Sequence, residues 1–424
     1  MTTIYDVVII GAGLAGLSAA NGLHDKGLNY KVIEASARAG GKVRSFVGPD
    51  GARSFELGAQ FVNKDMDQIG KWVQRAGLEL LETKSGNDTV GISFPSKEII
   101  SDAVCQHEKQ FEEIQAKLQS TDERLSDLLR RLLLTKTENQ IITSIYAERI
   151  NIDPQKVSAR GLLDRTFRFE SEENDMTHQV NAPLSELITF MERNIAENIA
   201  YEEPVVRIEK NSEGYKIIST KQTYMASAII IAVPPTVASR LEYEESLEQH
   251  YRKALDSYLD GSIIKTTWVF DDPFWHEYKV QSQARGVHDV VFTDPQGVTV
   301  IESSKVGGQY RLTMYIGASA ALDLAKKARA ERINTATSML VEVFGEKAKM
   351  YEDVEQSVWV EDKLCGGGYG ACLRYGALLN AAEVLRTPKD KMVFASSELA
   401  ERFPYYMEGA ILAGMTAASG ILND

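Results

Sequence analysis

Apolar residues along this chain switch between two spacings, and the switches mark out its elements. Tyr5–Ile10 (YDVVII) is a short run rich in β-branched residues, without polar alternation. Such runs form strands buried on both faces, as in a parallel sheet. Leu14–Lys26 carries apolar residues at helical spacing, and Gly27 supplies the stop. Tyr30–Glu34 is strand-like again, so the chain opens as the first part of a βαβ unit. Helical spacing returns over residues 62–80. Between 106 and 136 it appears twice more, through Phe111, Ile114 and Leu118 and then through Leu125, Leu128, Leu129 and Leu132. The charged faces of those stretches read as solvated surface.

From about Tyr201 the pattern is mostly of strands. VVRIEK (205–210), YKIIST (215–220) and AIIIAVPP (228–235) are followed by 262–270 and 310–316. Residues 325–346 read as helical, 392–396 as a strand, and Glu408–Leu422 as a closing helix. These elements predict an α/β protein of two domains. A discontinuous, Rossmann-like dinucleotide-binding domain would take residues 1–75, 181–255 and 385–424. An α+β substrate-binding domain would take 76–180 and 256–384.

Length agrees with this, since 424 residues exceed what one small core organises. With 44% apolar and 25% charged residues the chain is an ordinary globular one. A net charge of −13 argues against nucleic acid as a partner. Its usual meaning is solubility, with a mild bias toward cationic ligands. Cys105, Cys365 and Cys372 form no CxxC pair, and the six histidines form no HxxxH or HExxH. Neither a disulfide framework nor a metal site is expected, and a reducing, cytoplasmic setting fits. The start has no signal-peptide pattern, and no apolar run reaches about 18 residues, so no membrane association is expected.

The chemistry begins at Gly11-Ala12-Gly13-Leu14-Ala15-Gly16, a GxGxxG between strand and helix. In that motif the first glycine permits the turn and the second lets backbone approach a pyrophosphate. The third lets helix and strand pack closely. The pyrophosphate meets the free N–H groups and positive end of the helix dipole. Glu34 ends the second strand, 18 residues after Gly16, where a carboxylate can accept from both ribose hydroxyls. Strand, glycines, helix and terminal acid together predict dinucleotide binding.

The following residues, Glu34-Ala35-Ser36-Ala37-Arg38-Ala39-Gly40-Gly41-Lys42-Val43-Arg44-Ser45, resemble the EAxxRxGGR signature of flavin amine oxidases. Lys42 stands where the signature usually has arginine; it keeps the charge but loses the bidentate fork. Further segments resemble that family in order: Glu56-Leu57-Gly58-Ala59-Gln60, Pro204-Val205-Val206, Ala232-Val233-Pro234-Pro235, and Ser262-Ile263-Ile264-Lys265 with Pro273-Phe274-Trp275. Trp359 with Gly366-Gly367-Gly368-Tyr369, Phe394-Ala395-Ser396-Ser397-Glu398, and Tyr406-Met407-Glu408-Gly409-Ala410 complete the series. The chain is therefore identified as similar to the flavin monoamine oxidase family, which includes monoamine and polyamine oxidases.

That resemblance implies FAD and a set of residues to hold it. Gly11, Gly13, Leu14, Ala15, Gly16, Glu34, Ala35, Gly41, Lys42 and Arg44 would serve the nucleotide and phosphates, with Val205 beside the adenine. Gly58, Ala59, Gln60, Trp359, Ser397, Glu398 and Met407 would lie along the flavin. Lys265 would hold a water near the flavin N5 and assist reoxidation. Tyr369 and Tyr406 would flank the amine as two rings and orient its C–H. The implied reaction oxidises a small amine to an imine and then a carbonyl, with dioxygen reduced to hydrogen peroxide. A homodimer is compatible with it. Some relatives link FAD to a cysteine just before the first tyrosine; here that position is Gly368, so FAD is expected to be non-covalent. Cys365, three residues earlier, is expected to point elsewhere. Three alternatives remain at this stage: an L-amino-acid oxidase of the same superfamily, a flavin desaturase, and a flavin-binding protein without turnover. Phe61, after Gln60, stands where the amino-acid oxidases carry a carboxylate-binding arginine. Arg168, Arg285 or Arg374 could supply that charge from elsewhere.

Overall fold

The computed structural model describes residues 3–49, 51, 53–84, 89–100, 114, 122–172, 177–280 and 283–421. Phe111, Leu118 and Cys105 lie outside the described residues.

The β-branched opening run becomes the strand Ile4–Ile10, in the middle of an eight-stranded sheet. It pairs in parallel with Thr223–Ile231 on one side and Tyr30–Ile33 on the other, with Ile9 opposite Ile230 and Val32. Val7 and Ile9 pack into one core with Leu17, Leu23 and Ile411, while Val8 and Ile10 enter another with Ile208, Ile217 and Tyr251. Both faces are covered, which is why the run shows no polar alternation. Ile199–Ala200 extends the sheet beyond Tyr30–Ile33, and Val205–Asn211 and Gly214–Ser219 form an antiparallel hairpin on the other side. Thr223–Ile231 leans first on that hairpin and then, at Ile229–Ile231, on Met392–Phe394. Three distant stretches of chain thus meet in one sheet.

Helix Leu14–Asp25 packs against helix Met407–Gly420, and the Ser18 hydroxyl donates to the Ile411 carbonyl (3.0 Å). A Cβ on Gly414 would lie 2.1 Å from the Ala15 carbonyl, so the two helices approach closely there.

The second sheet has six strands, in the order Asp353–Val358, Ile263–Phe270, Tyr310–Gly317, Val298–Glu302, Gly286–Phe292, Thr89–Phe94. All pairs are antiparallel except the last. Alternation along Ile263–Phe270 sends Ile264, Trp268 and Phe270 into a core with Leu340 and Val343 of helix Arg329–Phe344. The same alternation puts Lys265 on the opposite face with Ile263.

Several elements differ from the sequence expectation. The helix expected over 62–80 is shorter, Asp67–Arg75, because Phe61–Val62 and Leu80–Glu82 pair with His178–Val180. The helix expected over 325–346 is Arg329–Phe344, and a separate helix, Ala318–Ala325, precedes it. Leu125–Arg131 ends near its expected limit, but a further helix, Lys136–Ile150, follows. A Thr135–Glu138 capping box starts it and Asn151 in the left-handed region ends it.

Candidate functional site

A cavity of about 640 Å³ runs from the carboxyl ends of the parallel strands to the inner face of the six-stranded sheet. Ligands of open α/β sheets bind at that edge.

Its nucleotide end is made of main chain. Gly11 has φ +99°, and a Cβ there would meet the Ala232 carbonyl at 2.7 Å. Gly13 precedes helix Leu14–Asp25 with no side-chain cap and no acid in the first turn, and nothing lies within 4 Å of where its Cβ would be. The helix N–H groups therefore face open cavity, which suits an anion. Gly16 is not in the lining; its Cβ would lie 1.9 Å from the Gly11 carbonyl, so it allows the helix to sit against the turn. Glu34 accepts from the Ala12 N–H (2.7 Å) and from the Ser36 N–H and hydroxyl (2.8 and 2.7 Å). Leu14, Ala15, Ala35 and Val205 line this end too.

The loop that follows is clamped by Arg38, which donates to the carbonyls of Ala39, Gly41 and Val43. Gly40 forms a bridge with Gly13, bringing Gly41 to the cavity. Lys42 donates to the Tyr369 carbonyl (3.1 Å) and pairs with Glu398 (3.3 Å). Burial alone would raise the Glu398 carboxyl, but Lys42 and backbone N–H groups hold it below its ordinary value. Arg44 stacks on Trp359 (4.4 Å), and its buried Nε has no hydrogen-bond partner. An unmet guanidinium donor, an uncapped helix end and a glycine cradle fit a phosphate-bearing cofactor.

At the other end Lys265, 4% exposed, donates to the Gly58 carbonyl (3.0 Å) and Gln60 Oε1 (2.7 Å). Gln60 is held in turn by Gln179 (2.8 Å). Burial drives the Lys265 ammonium down to about 7, with Glu56 opposing and Arg311 adding to the fall. The Ala59 N–H bonds to the Lys42 carbonyl (3.1 Å), and Trp359 Nε1 donates to the Leu57 carbonyl (2.8 Å). Tyr369 presents its edge to Tyr315, its N–H bonds to Asn151 Oδ1 (2.7 Å), and its hydroxyl donates to Glu148 (2.8 Å). Tyr406 rests on Phe169, with ring centres 4.7 Å apart. It precedes helix Met407–Gly420, whose start lacks a side-chain cap and faces the cavity at Met407. Ser397 and Glu398 line the same wall.

Every residue that the resemblance assigns to FAD or to catalysis, except Gly16, thus borders this cavity. Cys365 differs from its expectation: it lies in the cavity wall, packed in a cluster with Trp359 and Tyr315. Its N–H donates to the Asp362 carbonyl and to Asp362 Oδ1 (3.1 Å), a turn that holds it there. Burial, with Asp362 adding, pushes its thiol up to about 12, which leaves little nucleophilic thiolate. At Gly368 a Cβ would lie 2.6 Å from Asn151 Oδ1 and 2.8 Å from the Gly261 Cα, so no side chain fits there.

Sequence reading passed over Glu148, Arg149, Arg165 and Asp289, which also border the cavity. Glu148 follows Ile141 and Ile145 at helical intervals, so a carboxylate on an apolar stripe was its available signal. Asp289 is a lone acid in an apolar strand. Arg168, Arg285 and Arg374, named above as alternative sources of that charge, do not border the cavity: Arg168 donates to the Ala400 carbonyl and pairs with Asp164. Arg165 does border it, stacked on Tyr405 at 4.0 Å. Among the described residues no group of three potential metal ligands occurs, and no helix is long and apolar enough to cross a membrane.

Comparison with known proteins gives a consistent result. The profile of the family described as flavin containing amine oxidoreductase matches residues 14–422. Flavin-containing amine oxidase B of Homo sapiens is 25% identical, covering 100% of this chain and 87% of the relative. A flavin-containing amine oxidase of Oncorhynchus mykiss is 23% identical over 99% of this chain and 86% of its own length. Among solved structures, cyclohexylamine oxidase from Brevibacterium oxydans superposes with a TM-score of 0.88 at 22% identity, covering 99% of each chain. Putrescine oxidase bound to putrescine gives 0.86 at 22% identity, covering 100% of each chain.

Proposed function

The chain belongs to the family of flavin containing amine oxidoreductases, and on that premise we propose which of its residues hold FAD and which meet the amine. It is an FAD-dependent amine oxidase, an oxidoreductase acting on CH–NH groups. Residues 1–75, 181–255 and 385–424 make the FAD-binding domain, and 76–180 and 256–384 the substrate-binding domain. Gly11, Gly13, Leu14 and Ala15 receive the pyrophosphate at the helix end, supported beneath by Gly16. Glu34 takes the ribose hydroxyls, with Ala35 and Val205 beside the adenine. Gly41, Lys42 and Arg44 face the phosphates and ring junction. Gly58, Ala59, Gln60, Trp359, Ser397 and Glu398 would form the wall along the flavin, and the uncapped helix start at Met407 would offer it an N–H donor.

Bound FAD supplies a two-electron acceptor for the hydrogen on the amine's α-carbon, and dioxygen then takes those electrons as hydrogen peroxide. The chain's own work is positioning. Tyr369 and Tyr406 hold the neutral amine with its C–H toward the flavin. Lys265 keeps a donor where negative charge builds during reoxidation. Burial lowers its ammonium to about 7 and so gives it both protonation states near neutrality. The product imine leaves and hydrolyses to a carbonyl compound and an amine or ammonia. The unpaired Cys365 and Cys372 fit a reducing compartment, and we place the enzyme in the cytoplasm.

One observation carries this reading: Lys265 is fixed by two hydrogen bonds in the same cavity that the uncapped helix Leu14–Asp25 enters. The test is anaerobic bleaching of the bound flavin with matched pairs, phenethylamine against phenylalanine and tryptamine against tryptophan. The amine of each pair should reduce the flavin faster. Arg165 gives the amino-acid alternative a specific footing, and faster reduction by the amino acids would establish that alternative instead.

A further inference from the structure

Behind Lys265 stands a chain of buried amides. Gln60 lies between strands Ser54–Glu56 and Phe61–Val62, and its Nε2 donates to Gln179 Oε1 (2.8 Å). Gln179 lies on strand His178–Val180. Its Nε2 donates to the Ser303 carbonyl (3.1 Å), with a longer bond to the Thr83 hydroxyl (3.3 Å). Gln60, Gln179 and Ser303 are all buried. Main-chain pairing of Gln179 with Phe61 and Leu81 already holds its strand, so packing there does not call for an amide.

A side-chain amide offers donors on its nitrogen and an acceptor on its oxygen. The Ser303 carbonyl can only accept, so it fixes Gln179 with its nitrogen toward Ser303 and its oxygen toward Gln60. Gln60 then turns its nitrogen to Gln179 and its oxygen to Lys265. Reversing Gln179 would set its oxygen against the Ser303 carbonyl, and reversing Gln60 would set its nitrogen against Nζ of Lys265. Both clashes would be buried, where an unmet polar group is costly. The chain therefore runs in one sense, from a fixed carbonyl to an acceptor at Lys265.

Nζ of Lys265 directs two of its three free positions to the Gly58 carbonyl (3.0 Å) and Gln60 Oε1 (2.7 Å). The third has no hydrogen-bond partner among the described residues, and Lys265 borders the cavity. The Tyr315 ring, opposite on the paired strand, lies 5.8 Å away. A charged Lys265 offers an N–H at that third position; a neutral one offers its lone pair, with the other two bonds unchanged. Burial works against the charge, with Glu56 favouring it and Arg311 opposing it. Those neighbours are bonded elsewhere. Glu56 accepts from the Leu184 N–H and the Ser45 hydroxyl, Arg311 donates to the Ser54 carbonyl, and Lys305, which faces Glu56, donates to the Val180 carbonyl. Beyond the Gly58 main chain, Gln60 is thus the direct support of the ammonium.

We propose that Gln179 is a positioning residue for Lys265: it locks the Gln60 oxygen toward the lysine and so keeps the ammonium charged, with its third N–H turned to the cavity. This rests on the placement of Lys265 beside the flavin given above and adds the residue that governs its charge. With methionine at 179, the Gln60 nitrogen loses its partner and nothing holds its oxygen to Lys265.

The experiment uses the FAD-loaded protein, with the flavin reduced photochemically so that no amine is involved. Reoxidation by dioxygen is followed from pH 5 to pH 10 in the parent, Gln179→Met, Gln179→Glu and Lys265→Met. Losing an acceptor disfavours the ammonium. In Gln179→Met the fall in rate with rising pH should therefore move toward acid by at least about one unit. Gln179→Glu keeps an oxygen toward Gln60 and adds negative charge as it ionises, so its fall should move toward base. An unmoved profile in either variant, or movement in the opposite sense, overturns the proposal. If Gln179→Met takes up no FAD, the glutamate variant decides alone.

Stability gives a reading apart from activity. Relative to the parent, Gln179→Met should be destabilised more at pH 5, where Lys265 is charged, than at pH 9, where it is neutral. That pH dependence should vanish when Lys265 is already methionine. A destabilisation equal at both pH values marks Gln179 as structural only and overturns the proposal. If Lys265→Met reoxidises like the parent, the lysine's role at the flavin fails by itself, and the stability comparison still decides whether Gln179 governs its charge.

Discussion

The two ends of the cavity are built by different means. Near Gly13 the wall is main chain: a glycine turn, an uncapped helix end and a loop pinned by Arg38 through three carbonyls. Near Tyr369 the wall is side chains drawn from distant segments, with Lys265, Glu148 and Asp289 all shifted by burial toward neutrality. On the proposed assignment the first end would recognise groups common to every FAD molecule, for which fixed backbone geometry suffices. The second would have to change charge during turnover and to choose among amines. Buried titratable side chains can do both, at a cost in stability that the nucleotide end does not carry.

The comparison can be broken at either end. The largest effect is expected from Lys265→Met. If the lysine acts by placing a donor beside developing charge, reoxidation by oxygen should slow by about 100-fold or more, while flavin reduction changes far less. Stopped-flow traces with parent-like reoxidation would remove that role.

Glu148→Gln comes next and tests whether the substrate end stores strain as pH-dependent stability. Folding raises this carboxyl from 4.5 to about 7, so the folded protein keeps a proton that the unfolded chain has lost. The parent therefore loses stability as pH rises from about 4.5 to 7 and changes no further, from this group, above that. The glutamine variant lacks that loss. Its stability relative to the parent should climb by up to roughly 3 kcal/mol between pH 5 and pH 8. Denaturation at both pH values reads this directly, and a constant difference would contradict it.

At the nucleotide end, Glu34→Ala should weaken FAD binding by about 1.5–3 kcal/mol, because a charged acceptor is lost. An unchanged FAD dissociation constant would take Glu34 out of the site. The smallest effect is expected from Tyr406→Ala, about tenfold slower anaerobic reduction with FAD still bound. Reduction at the parent rate would leave Tyr406 as packing against Phe169.

Much of the fold could be read from the chain alone. The unalternating YDVVII run, the GxGxxG turn and Glu34 lie within thirty-odd consecutive residues and encode a local unit, as the parallel pairing of Ile4–Ile10 with Tyr30–Ile33 reflects. The strand Ile263–Phe270 was legible as a run of β-branched and aromatic residues, and its lysine through the resemblance to flavin amine oxidases. Helix Lys136–Ile150 was not, because its apolar stripe is interrupted by Glu148, and the expected 62–80 helix ignored pairing with His178–Val180.

What the sequence by itself determined is therefore the glycine-turn end of the cavity, where short-range turns and glycines dictate backbone shape whatever surrounds them. Tertiary structure alone decided the substrate end. Glu148 and Asp289 lie 141 positions apart in sequence, and only the packing of a helix against a bulged strand makes them neighbours in one chamber. Nothing local marks either residue as buried beside the other. Their raised carboxyl values follow from burial, with Asp289 adding to the rise of Glu148, and that burial exists only once the chain has closed around them.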